Sequence, residues 1–186
     1  MLKPALFLAI LLASPPAFAQ APAVDDGPTF DQLVADAGSI VLTEVLETKS
    51  VWRQLPQKRV IVTEVTVRVD RTLKGGADAV MTLTLLGGTV GDVTQRAAGV
   101  PRFLVGDTDV LFLAASRSVV SPIVGMSRGR FRVVMGHGGA GRYVANSGLQ
   151  PIRAVSEYAH PTKLGAGDRA LTLDEFINTV NARLGR

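Results

Sequence analysis

Residues Gly125-Met126-Ser127-Arg128-Gly129 spell G-x-S-x-G, the sequence form of a nucleophile elbow, and Glu157 and His160 follow in the chain order of an α/β-hydrolase triad. An elbow needs a helix directly after its serine. Here Arg130, Phe131, Arg132 and Val133 alternate polar and apolar as a strand does, so the motif predicts a glycine-bounded turn. A small secreted serine hydrolase using Ser127 is therefore the alternative reading and not the leading one. His137 and His160 are the only histidines and both follow Ser127, which excludes the chymotrypsin order. Cysteine is absent, and no H-x-H or H-E-x-x-H spacing occurs. Thiolate chemistry and cysteine metal sites are thereby excluded, and neither a cofactor nor a metal is expected. Gly136-x-Gly138-x-x-Gly141 follows a strand but leads into the strand-like Arg142-Tyr143-Val144, so it reads as a hairpin tip without the helix N-terminus that cradles phosphate.

The remaining clusters suit recognition better than catalysis. Arg128, Arg130 and Arg132 alternate along one strand face, and Arg142 on the returning strand extends the patch. Guanidinium forks match phosphate or carboxylate, whereas the competing reading is an ordinary solvated face. Trp52, the only tryptophan, stands in a polar setting and either covers one end of the core or stacks on a ligand. Only Phe131 and Tyr143 lie near the arginines, and the formal charge of the 186-residue chain is a mild +4. Neither fits a nucleic-acid partner.

The elements that must position these residues centre on 59–91. From Ile61 the odd positions Ile61, Val65, Val67 and Val69 are apolar against Glu64, Thr66, Arg68 and Asp70, the period of a half-buried strand. Leu73-Lys74-Gly75-Gly76 turns the chain, and Met81, Leu83 and Leu85 resume the alternation. Before this pair, 39–47 reads as a first strand and 48–58, with Trp52 and Pro56, as a long hairpin loop. After it, Gly106-Asp107 is a turn, Val110 to Ala114 the most buried strand, and Val119 to Val124 an edge strand that tolerates Pro122. Capping boxes at Thr29-x-x-Gln32 and Thr172-x-x-Glu175 open a short helix over 30–37 and a C-terminal helix with Leu173, Phe176, Ile177, Val180 and Leu184 on one face.

Residues 1–19 have one lysine, an apolar run from Ala5 to Ala13 and Ala17-Phe18-Ala19, the form of a cleaved secretory signal peptide. The run is too short to span the membrane, so no integral segment is expected after cleavage, and the protein is placed as secreted or periplasmic. The chain divides into signal peptide 1–19, flexible leader 20–28, β unit 29–147, and a loop-rich extension 148–186 carrying the last helix. Without disulfides the fold rests on apolar burial and strand pairing. Its expected class is mainly β, a small OB-like antiparallel barrel with a closed wall.

A short helix leading into IVLTEVLE, a long loop, a Val/Thr strand ending in Leu73-Lys74-Gly75, then Gly87-Gly88-Thr89, Gly99 to Phe103, Gly106 and the apolar VLFLA strand resembles the netrin-like modules. Those modules share an OB-type barrel with the tissue inhibitors of metalloproteinases, and exported bacterial proteins have a similar layout. The likeness covers roughly 29–134. It implies a binding module whose partner is a protein, a protease or an envelope component. In the inhibitors an N-terminal cysteine chelates the catalytic zinc, and this chain has no cysteine to do so. What carries over is the fold, which hosts many functions. The leading expectation is an exported, non-enzymatic binding module that uses the arginine strand or the loops around Trp52 and 136–141; an envelope scaffold without a small ligand is the third reading.

Overall fold

The computed structural model describes residues 27–115, 120–136 and 141–186. The expected signal peptide, most of the leader, Val119 and His137 lie outside the described residues. Helix α1 (Phe30–Asp36) is followed by three long antiparallel strands, β1 (Ala37–Gln54), β2 (Arg59–Lys74) and β3 (Val80–Leu86). A small hairpin, β4 (Gly88–Val90) and β5 (Val93–Gln95), precedes β6 (Thr108–Ala114), β7 (Arg130–Met135), β8 (Arg142–Ala145) and helix α2 (Leu173–Arg183). The fold is mainly β, and six strands form one antiparallel sheet in the order β3-β2-β1-β6-β7-β8. Among the described residues no helix is long and apolar enough to cross a membrane.

The sheet is open, which corrects the expected closed wall. Other backbone meets the last residue of its edge β3 and lies along its edge β8. Leu86 N donates to Val120 O at 2.8 Å on the β3 side; on the β8 side Val144 N donates to Leu171 O at 2.8 Å and Ile152 N to Val144 O at 3.2 Å. With its outer backbone groups already met, β8 has few left with which to pair β3 and close the wall. Residues 120–124 lie beside β6 through a single bridge, Leu113 with Ile123, and Pro122 takes part through its carbonyl, which accepts from Ala114 N at 2.8 Å.

The second correction concerns 48–58. It is not a long loop: β1 continues to Gln54 and pairs with β2 down to Gln54 opposite Arg59, leaving a tight turn in which Leu55 N donates to Lys58 O at 2.9 Å. Lys49 stands opposite Glu64, and Arg53 reaches the Glu64 carboxylate at 3.0 Å. Cross-strand charge pairing lets a polar stretch remain strand. Register shifts after Ile40, Leu42 and Val45 bend β1 as bulges do.

Both faces of the sheet are buried, which explains the uninterrupted apolar run of β6. Val110 and Phe112 face a core built with Ile40, Leu42, Leu73 and the two helices, whereas Leu111 and Leu113 face Val41, Val45, Val65, Val67, Leu83 and Leu85. On the helix side Phe30, Phe112, Phe131 and Phe176 form one aromatic cluster, with Phe131 and Phe176 centroids 4.7 Å apart. Ile152, Tyr158 and the α2 residues Leu173, Phe176, Ile177 and Val180 belong to the same core.

Each member of the Leu-Lys-Gly turn has a distinct place. Leu73 is buried, Lys74 Nζ donates to Val34 O at 2.6 Å and Ala35 O at 3.0 Å at the end of α1, and Gly75 adopts φ +69° against Gly38. A Cβ on Gly75 would stand 2.2 Å from Gly38 O, whereas one on Gly76 would meet nothing within 4 Å. Gly75→Ala should therefore lower unfolding free energy by more than about 1 kcal/mol, while Gly76→Ala is near neutral. Paired urea titrations decide this, and equal effects would contradict the assigned turn.

Both capping boxes form. At α2, Thr172 Oγ1 accepts from Glu175 N at 3.3 Å and Glu175 Oε2 accepts from Thr172 N at 3.0 Å, while Arg169 grips the same carboxylate at 2.8 and 2.9 Å. Hydrogen bonds from Arg169 first, then from Thr172, hold the Glu175 carboxyl at about 2, below its ordinary 4.5. A depressed folded value means that the contribution is fully present above about 4.5 and is lost as pH falls toward 2. A carboxyl NMR titration should place the midpoint near 2, and Arg169→Ala should raise it.

Candidate functional site

The arginines expected on a solvated strand face are not arranged that way. Arg128 lies before the strand, in a 3-10 turn over Met126–Gly129, partly buried. Arg130 opens β7 yet is only 1% exposed. Its Nε and Nη2 each lie 2.9 Å from an Asp109 oxygen, Nη2 also donates to Asp107 at 2.8 Å, and Nη1 donates to Arg102 O. Arg132 completes the cluster, with Nη2 at 2.5 Å from Asp107 and Nε at 3.2 Å from Asp109. Two carboxylates thus neutralise two guanidiniums inside the protein, the condition under which buried charge persists. Burial pushes the Asp109 carboxyl above its ordinary range, opposed by Arg130 and Arg132. Arg130 accordingly has almost no surface to offer a ligand.

Arg142 is exposed on β8, in register with Met135 at the far end of β7 from Arg130, so no continuous patch forms. Trp52 sits on β1 opposite Ile61, partly exposed, with the Arg59 guanidinium 4.5 Å above its ring. Ser127 lies in the 3-10 turn and a strand follows it, as the alternation predicted. Glu157 is gripped by Arg153 at 2.9 and 3.2 Å, so its carboxylate is already engaged. Among the described residues no three His, Cys, Asp or Glu side chains gather as metal ligands.

What Arg130 does hold is the wall of a cleft. Beyond β5 the chain crosses the sheet from Gln95 to Leu104, with Phe103 buried and the Arg130 guanidinium 3.8 Å over its ring. At the turn that follows, Leu104 N donates to Asp107 Oδ2 at 2.8 Å and Asp107 N to Leu104 O at 3.0 Å. The ionic cluster therefore braces a tip whose Leu104 and Val105 are 69% and 66% exposed. Between this wall and the β1–β2–β3 face lies a cleft of about 680 Å³.

Its apolar floor includes Val65, Leu85 and Phe103, and its polar side includes Thr48, Ser50, Thr63 and Thr89. Thr63 Oγ1 donates to Gly87 O at 2.7 Å, so the 3.0 Å contact between Ser50 and Thr63 uses the Ser50 proton and leaves the Ser50 oxygen as an acceptor. Gly88 closes this end at φ +139°, where a Cβ would stand 2.4 Å from Ser50 Oγ and 2.5 Å from Thr63 Oγ1. Arg96 and Arg102 line the opening, exposed and without an ion-pair partner among the described residues. Hydroxyl acceptors, an apolar floor and two open cations form a site of the kind and size that holds small molecules or side chains.

The cleft escaped the sequence reading, although a signal was present. Asp107-x-Asp109 and Arg130-x-Arg132 have the same two-residue spacing, which on paired strands puts opposite charges on one face. Compared with known proteins, the chain matches no family model and no curated protein.

Proposed function

We propose that this chain is an exported, non-enzymatic binding module of the netrin-like, OB-type class, and that the cleft is where it grips its partner. The partner class is the one that the resemblance implies, a protease or an envelope component, and the segment taken is an extended, acidic one. The supporting observation is the lining: an apolar floor for alternate side chains, hydroxyls for backbone, and Arg96 and Arg102 at the opening. A tip held rigid by buried ion pairs reduces the ordering entropy that binding must overcome.

The reading is tested by crosslinked capture from the exported fraction of the native cells with three proteins. Ala98→Trp fills the cleft from an exposed lining position, and Arg96→Glu with Arg102→Glu reverses its charge. Capture of a stoichiometric partner by the unaltered protein and its loss in both variants is the expected result. Undiminished capture by both would remove the cleft as the contact surface.

A further inference from the structure

A second, smaller pocket of about 220 Å³ lies away from the cleft, between the Met126–Gly129 turn and the turn after β8. Ser127 and Arg128 line one side, Asn146 and Ser147 another, and Tyr158 closes it. We propose that it binds a small oxyanion of the phosphate or sulfate type through Arg128.

Charge balance points first to an anion. No carboxylate lines the pocket, and the only other ionisable cation there, Arg130, is already neutralised by Asp107 at 2.8 Å and Asp109 at 2.9 Å. Arg128 therefore supplies the pocket's positive charge, with no ion-pair partner among the described residues. Its Nη1 is buried and has no hydrogen-bond partner among the described residues, although the side chain also interacts with Tyr158. A guanidinium without a carboxylate partner favours an oxygen-rich anion, whose oxygens match its fork of N–H donors.

The remaining groups suit an oxyanion as well. Asn146 Oδ1 accepts from Gly148 N and Gln150 N, both at 3.0 Å, so its oxygen is spent on the turn while its Nδ2 keeps only a 3.4 Å contact with Gln150. Tyr158 donates its hydroxyl proton to Pro28 O and is fixed as a wall. The Ser127 and Ser147 hydroxyls rotate to donate. The pocket is smaller than the roughly 300–1,000 Å³ of sites for drug-sized ligands, so a single oxyanion group is what it accommodates.

The G-x-S-x-G motif gains a use in this arrangement. Gly125 takes φ +61° and Gly129 packs where a Cβ would stand 2.2 Å from Val124 O, so the two glycines allow the tight turn that presents Ser127 and Arg128 to the pocket. The serine positions an anion here instead of attacking an ester.

The test is isothermal titration of the full chain at fixed ionic strength with inorganic phosphate, sulfate and phosphoserine, backed by amide NMR. Saturable binding that shifts Ser127, Arg128 and Ser147 is expected, weakened roughly tenfold or more in Arg128→Gln and retained in the Arg96→Glu, Arg102→Glu protein. Binding by inorganic phosphate or sulfate would mark a free anion as the ligand, and binding by phosphoserine alone a phosphorylated chain; either supports the site. No saturation by any of the three, or equal affinity in an Arg128→Gln protein whose melting curve shows it folded, would overturn it. Because the cleft variants leave this pocket intact, its failure and that of the cleft proposal are separable.

Discussion

Arg130→Met should lower the unfolding free energy by about 3–5 kcal/mol, because it leaves Asp109 buried without the fork that neutralises it. The loss exceeds what an exposed ion pair contributes, which is about 0–1 kcal/mol. The double variant Arg130→Met, Asp109→Leu removes both charges and should recover much of the loss, since apolar groups can replace a buried pair with little penalty. Asp107 keeps Arg132 at 2.5 Å in either protein. Urea titrations of the two singles and the double give the coupling directly. A loss below about 1 kcal/mol for Arg130→Met would mean that the side chain is solvated, contrary to its 1% exposure. The same substitution should loosen residues 102–107, because it removes the contacts to Arg102 O and the Phe103 ring.

Phe176→Ala is the second large effect, about 3–5 kcal/mol. The ring is fully buried, 4.7 Å from Phe131, 5.6 Å from Phe30 and 6.5 Å from Phe112 between centroids. Close-packed surroundings relax only partly when a ring is deleted, so a cavity remains. Asn178→Ala, on the exposed side of α2, should stay within about 0.5 kcal/mol. Trp52 fluorescence reports on β1 and far-ultraviolet dichroism on the helices, and the two transitions should coincide in Phe176→Ala. Loss of helix signal before the tryptophan signal would mean that α2 is only loosely attached to the sheet.

How much of this was legible differs from element to element. Strand periodicity located β2, β3, β6 and β7 because burial on at least one face writes a period of two into the chain. Both capping boxes were legible because they are local chemistry within four residues. The long β1 was not, since Thr48 to Gln54 is mostly polar and lacks clean alternation, and its strand state depends on cross-strand partners such as Glu64 and Ile61 across the hairpin. Openness of the sheet was equally hidden, because edge coverage by Val120, Leu171 and Ile152 is tertiary.

That Arg130 is buried among carboxylates and not set on an open strand face has one physical reason. Alternation puts Arg130 and Arg132 together on a face, as found, but alternation alone does not tell whether that face meets water or carboxylates. Asp107 and Asp109 decide it, and they stand more than twenty residues earlier in the chain. The cleft follows from the same long-range pairing, since its wall is held by Arg130 and its polar side is assembled from Ser50, Thr63 and Gly87.

The most direct measurement is photo-crosslinking in the native cells from benzophenone side chains placed one at a time at Thr89 and Leu104 in the cleft and at Asn178 on the outer side of α2. The cleft positions should each give the same discrete adduct, absent when Ala98→Trp is added, and position 178 should give none. An adduct from position 178 with none from 89 or 104 would contradict the assignment of the cleft as the recognition surface.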